Sequence, residues 1–179
     1  MPLCPVWHDF LSYPGTANPN IRMEEFPQYS TISGLTTLIK IHTKRFKHYN
    51  AAAIYASSAP LKILFRKYAA NSHECISTLM RRLVVYGGSS YFPAELRENT
   101  SLWNKIKGLF NSEEINVLLR KSEAIERYAL RMHRKTLALA FIPPDTTGDI
   151  RNQIKRCEEA FDTIRMLREK GVNEILIAS

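Results

Sequence analysis

The sequence predicts an all-α protein, a four-helix bundle of two antiparallel helix hairpins joined by one long crossover. Three observations predict it. Apolar residues recur with the helical period in four separate stretches. Helix stops stand between them: the segment SSAP at 57–60, Gly87-Gly88, and Pro143-Pro144. A chain of 179 residues with 45% hydrophobic content is one ordinary domain able to bury a core.

The first helix is expected from Leu35 to Tyr55, with Leu35, Leu38, Ile39, His42, Phe46, Tyr49 and Ala53 sharing one face. His42 then points inward and His48 outward, while Arg45 flanks the stripe. The second helix is expected from Pro60 to Tyr86, because proline is tolerated in a first helical turn and Gly87-Gly88 stops the pattern. Its stripe is Leu61, Phe65, Tyr68, Ser72, Cys75, Leu79 and Leu83. Two long helices joined by a few residues form an antiparallel hairpin. A long connection follows, from Gly87 to Asn111. It contains a short amphipathic pattern around Trp103, and its length lets the third helix start at the far end of the bundle.

The third helix opens at Ser112, an N-cap residue followed by two glutamates that suit the positive helix terminus. Its stripe runs through Ile115, Leu118, Leu119, Ser122, Ile125, Ala129, Leu137 and Ala140, and it also aims Glu126 and His133 inward. An unpaired buried carboxylate costs several kcal/mol, on the order of a lost ion pair, so Glu126 implies a partner, a metal or a proton. The fourth helix is expected from about Thr147–Asp149 to Lys170, with Ile150, Gln153, Ile154, Cys157, Phe161, Ile164 and Leu167 inward and Gly171 closing it. Residues 1–33, rich in proline, read as an extended arm. Residues 34–171 form the bundle, and residues 172–179 a short apolar tail.

Composition narrows the function classes. No apolar run approaches the roughly 18 residues that a bilayer span needs. The N-terminus lacks the basic start and apolar core of a signal peptide. Three widely spaced cysteines (Cys4, Cys75, Cys157) point to reduced thiols and a cytoplasmic location. The formal charge of +8 is concentrated in residues 35–86, where nine Lys/Arg face one acid, Glu74. That basic half offers Lys40, Lys44, Lys47, Lys62, Arg66 and Lys67 to non-specific nucleic acid, another anionic polymer or an anionic membrane surface. No groove-reading motif accompanies it. A homodimer through off-stripe apolar residues such as Ile63 and Val85 is a further expectation, as is a protein partner not identified by any motif.

Several residues also carry a family likeness. Tyr49 is followed by the small Ala52 and Ala53. The second helix has Leu64, Phe65, Tyr68, Ala69 and Ser72, and the crossover has Trp103. Glu123 and Glu126 stand three apart, and Gln153 and Asp162 frame the fourth helix. With this pattern the run from Leu35 to about Glu169 resembles a group of short bacterial ferritin-like proteins known only as a domain of unknown function. That group lies within the wider ferritin and rubrerythrin-like superfamily. The resemblance covers about three quarters of the chain and implies a ferritin-like four-helix bundle.

The wider superfamily holds two metal ions with a Glu from each of two helices and a Glu-x-x-His from each of the others. Here the first helix has no carboxylate, its usual acids near the tyrosine being Lys47 and Asn50. The second helix turns Glu74 outward, and the fourth has Glu158-x-x-Phe161 where a histidine would be needed. A degenerate site for iron, manganese or zinc would draw on His42, Glu126, His133 and Glu158. A buried His–Glu hydrogen bond is the expected alternative. No phosphate loop, nucleophile elbow or catalytic dyad is present. The expectation is a non-catalytic bundle with a vestigial site, acting in interaction or stress association. The alternatives are a metal-binding oxidoreductase and an anionic-surface binder.

Overall fold

The computed structural model describes residues 25–56, 58–88, 112–139 and 142–170. They form four helices: α1 (Glu25–Tyr55), α2 (Ala59–Val85), α3 (Ser112–Leu137) and α4 (Pro144–Lys170), with no strand among the described residues. The arm before residue 25, the crossover segment around Trp103, Ala140, Gly171 and the tail lie outside the described residues. None of the four helices is long and apolar enough to cross a membrane.

The helices bury the stripes their spacing supplies. Leu35, Leu38, Ile39, His42, Tyr49 and Ala53 are buried on α1, and all seven expected stripe residues are buried on α2. The boundaries differ in two places. α1 begins at Glu25, ten residues before the expected Leu35, so residues 25–33 belong to the helix and not to an extended arm. Pro27 falls in its first turn, where the missing N–H has no intrahelical partner to lose, and Thr31 continues the buried face. α4 begins at Pro144, ahead of the expected Thr147, because proline's fixed φ is already helical at a first position. α2 starts and stops as its sequence dictates. Ser58 caps it by accepting from the Leu61 N–H at 3.4 Å. At its end Gly87, with φ of 75°, donates to the Val84 carbonyl, and Gly88 donates to that of Leu83. Those two bonds make a Schellman cap, which requires the left-handed conformation that glycine adopts without steric cost.

Contacts between helices fix their directions. Phe46 and Tyr49 of α1 lie beside His73 and Tyr68 of α2, so these two run antiparallel. The same reversal appears between α3 and α4, where Arg134 meets Glu158 and Glu123 meets Arg168. It appears again between α1 and α3 (Arg45 to Glu126, His42 to His133) and between α2 and α4 (Arg82 to Asp149, Glu74 to Arg156). α2 and α3 therefore point the same way, and the ends joined by residues 89–111 lie at opposite ends of the bundle, as expected.

The apolar core comes in two blocks. One holds Leu35, Leu38, Ile76, Leu79, Leu83 and Ile150 near the end where α1 and α3 approach through Gly34, Thr136 and Leu139. The other holds Leu61, Phe65, Leu119, Ile164 and Leu167 near the α1–α2 turn. A belt of buried polar side chains separates them.

Candidate functional site

The belt is built from His42, Arg45 and Tyr49 on α1, Glu126 and His133 on α3, and Gln153 on α4. His42, Glu126 and His133 are fully buried, and Arg45 is 1% exposed. Positions 42, 45 and 49 fall on one helix face because they are separated by three and four residues, and Glu126 faces them across the antiparallel contact.

Arg45 is the hub. Its Nε and Nη2 donate to Glu126 Oε1 at 3.0 and 2.8 Å. Its Nη1 donates to His42 Nδ1 at 3.0 Å. Tyr49 also donates its hydroxyl to Glu126 Oε1. Three donors thus converge on one carboxylate oxygen, while Glu126 Oε2 is buried with no hydrogen-bond donor among the described residues.

The histidine tautomers follow from Arg45, which has no acceptor. His42 Nδ1 must accept, so its proton sits on Nε2 and points at His133 Nε2, 3.0 Å away. That nitrogen accepts in turn, which leaves the His133 proton on Nδ1, donating to the Ala129 carbonyl at 2.7 Å. Gln153 Oε1 lies 3.3 Å from His133 Nε2 and is a second acceptor beside the His42 Nε2–H. Every link of the relay uses a neutral imidazole.

The electrostatics agree with this pattern. Burial, with the Arg45 charge adding to it, holds His42 well below the usual histidine range. Burial lowers His133 also, against its bond to the Ala129 carbonyl. For Arg45 burial acts to lower the pKa, but the Glu126 carboxylate more than offsets it and the guanidinium stays charged. Burial and Glu126 together push the Tyr49 phenol well up, so it remains a donor. Burial pushes the Cys157 thiol up to about 12 and the Cys75 thiol up to about 11, which leaves neither as a nucleophile at neutral pH.

A second polar pair lies on the same two helices. His48 and Ser122 are buried, 2.7 Å apart. Ser122 donates its only hydroxyl proton to the Leu118 carbonyl at 2.9 Å, so it accepts from His48 Nε2–H. That is the reverse of what an activated serine requires, where the histidine must accept. Burial, with Lys121 nearby, lowers His48 to about 4.

The structure brings together three of the four expected metal candidates and inserts a cation among them. His42, Glu126 and His133 meet in the belt, each already bonded to Arg45, Tyr49 or the other histidine. Glu158 is not there. It is half-exposed and pairs with Arg134 at 2.8 Å, because Ala160, and not Phe161, takes the inward position on that turn of α4. Phe161 lies at the α3–α4 edge, 5.8 Å from the Arg127 guanidinium. Among the described residues no group of three or more His, Cys, Asp or Glu is placed to hold a metal ion.

Two other expectations are corrected. Arg45 does not flank the stripe but sits at its centre, and His48 is buried, not outward. Both errors come from assuming that α1 hides a single narrow stripe. α1 packs on α2 and α3 together, and its buried arc includes Ile41, Thr43, Arg45, His48 and Ala52. The sequence does carry a signal for Arg45: it is three residues after His42 and four before Tyr49, on the face that must answer Glu126. The six basic candidates are on the α1–α2 hairpin surface. Lys40, Lys44, Arg66 and Lys67 are exposed and Lys47 and Lys62 half-exposed. Ile63 and Val85 are also exposed, at opposite ends of α2.

Set against known protein families and curated proteins, the chain matches none in sequence.

Proposed function

We propose that this chain is a ferritin-like four-helix bundle whose central site holds a fixed ion pair in place of metal, and that it works as a non-catalytic interaction module. The observation carrying the reading is Arg45. Its guanidinium bonds the buried Glu126 carboxylate and His42, so these groups that would ligate an ion are engaged by a permanent cation. A metal ion entering there would meet that charge at hydrogen-bond distance from both candidate ligands. The antiparallel hairpins, the parallel α2 and α3 and the long crossover support the ferritin-like assignment.

Such a belt suits a structural role. Each member has one geometry in which its partners are satisfied, so the belt fixes the rotation and register of α1 against α3, much as a single buried polar position does in coiled coils. Metal analysis of full-length protein purified without chelator tests the reading. Stoichiometric iron, manganese or zinc that is lost in His42→Ala and Glu126→Ala would establish the metal-binding oxidoreductase instead.

A further inference from the structure

We infer that the outer groove between α1 and α2 is a docking site for an acidic amphipathic helix of a partner protein. This rests on the interaction-module reading and names its partner class.

The first observation is the groove itself. Phe46 and Asn50 line it from α1, and Arg66, Ala70, His73 and Arg81 from α2, enclosing about 590 Å³. Two exposed isoleucines extend it toward the α1–α2 turn. Ile54 follows Phe46 and Asn50 at four-residue steps, and Ile63 precedes Arg66 and Ala70 by three and seven, so each continues its helix's groove-lining stripe. They are 68% and 67% exposed, which is costly for side chains that would each gain roughly 1.5–3 kcal/mol on full burial. From Ile63 to Arg81 the groove runs about 27 Å at the helical rise, room for several turns of a third helix.

The second observation is a difference in charge compensation. On α3 and α4 Arg127, Arg134, Arg156, Arg165 and Arg168 have carboxylate partners, while the exposed Arg120, Arg131 and Arg151 have none among the described residues. The groove between α3 and α4 is crossed by the Arg134–Glu158 pair. At the α1–α2 groove the basic side chains in the lining, Arg66 and Arg81, have no carboxylate partner among the described residues. Lys62 and Lys67, within about one helical turn of the lining residue Arg66, likewise pair with no carboxylate among the described residues. The one acid in the groove, Glu74, is already held by both Nη atoms of Arg156, at 2.6 and 3.1 Å. Among the described residues Arg81 bonds the Thr78 hydroxyl, at 3.1 Å. An apolar floor with an uncompensated basic rim is complementary to a helix that has apolar residues on one face and Asp/Glu flanking them.

The same two facts decide against other occupants. A second copy related by a two-fold axis would set Arg66 and Lys62 against like charges. Nucleic acid would gain from the charges but not from isoleucines, which offer no ring for bases to stack on. A bilayer surface would meet a concave groove with two apolar side chains at one end, little area to bury.

Selection of a phage-displayed library of helical peptides on immobilised full-length protein, with counter-selection on the Ile54→Glu/Ile63→Glu variant, tests the inference. The expected winners carry apolar residues at i, i+3 or i+4, and i+7, flanked by Asp/Glu. In solution they should bind about tenfold or more weakly to that variant and to Arg66→Glu/Arg81→Glu. Both variants alter exposed positions and should keep the wild-type thermal melt. Winners without acidic bias, or winners that survive counter-selection, overturn the inference. So does binding of a single-stranded oligonucleotide or of phosphatidylserine vesicles that matches the peptides and ignores the isoleucine changes. A wild-type dimer in sedimentation that the isoleucine variant splits would make a second copy the occupant and likewise overturn it. Metal-loaded protein with intact peptide binding would remove the metal-free reading alone, whereas metal-free protein without such binding removes only the docking site.

Discussion

Replacing Arg45 by methionine isolates the belt's main energetic contribution. The side chains are similar in length, so the change removes charge and donors with little loss of packing volume. Three hydrogen bonds disappear, two to Glu126 Oε1 and one to His42 Nδ1. What remains is a fully buried carboxylate that keeps the Tyr49 hydroxyl as a donor. Deleting one partner of a buried ion pair costs about 3–5 kcal/mol, more than the 1.5–3 kcal/mol or so of a single hydrogen bond to a charged group. Against a total stability of about 5–15 kcal/mol this is a large fraction. Urea unfolding followed by circular dichroism should read that loss, and melting should drop by roughly 6–20 °C for a domain of this size. Adding Glu126→Gln in the same chain removes the stranded charge while keeping an oxygen for Tyr49. The double variant should recover at least about 2 kcal/mol, a coupling expected of residues in direct contact. A cost below about 1 kcal/mol for Arg45→Met, or a double variant no more stable than the single, would refute the view that this pair holds the centre of the bundle.

His42, His48 and His133 all bind protons less readily folded than unfolded, so as pH falls below their ordinary value of 6.5 the unfolded chain takes up protons first. Stability should therefore be level above that value and fall below it by about 1.4 kcal/mol per pH unit for each histidine, with His48 contributing down to about pH 4; constant stability between about pH 7 and pH 5 would contradict the neutral relay. At Gly34 an added Cβ would stand 3.0 Å from Thr136 Cγ2 and 3.1 Å from Leu139 Cδ1. Gly34→Val should accordingly destabilise by about 1–3 kcal/mol in chemical unfolding, despite glycine's poor helix propensity, and Leu139→Ala alongside it should return part of that; an unchanged or more stable Gly34→Val protein would show that α1 and α3 can separate there.

Most of the architecture was legible because it rests on period and punctuation. Leu61 through Leu83 announce one face of α2, and Pro60 and Gly87 bracket it. On α3 the inward Glu126 and His133 were equally plain, and Leu119, Ser122 and Ala129 are buried beside them, whereas Ile115, Leu118, Ile125 and Leu137 are only half-buried. What could not be read was how many sides of α1 are covered. A helical wheel drawn for one buried face places Arg45 at its edge and His48 outside, whereas a helix packed on two neighbours buries both. The same limit explains Glu158 and Phe161. Both flank the true inward position, Ala160, and an alanine gives a weak hydrophobic signal beside a phenylalanine. The start of α1 was missed because Pro27 reads as a breaker unless the helix is known to begin just before it. The belt's wiring depends on distances across α1, α3 and α4 that no single-helix pattern contains.

We propose Arg45 in the place of a metal at the centre of the bundle. The most direct test is elemental analysis of the full-length protein, purified without chelator and then equilibrated with ferrous iron, manganese or zinc under anaerobic conditions. The prediction is less than about a tenth of an equivalent of any ion retained per chain, unchanged in His42→Ala and Glu126→Ala, since Arg45 already occupies the carboxylate that an ion would need. One or more equivalents retained by the wild type and lost in those variants would contradict it.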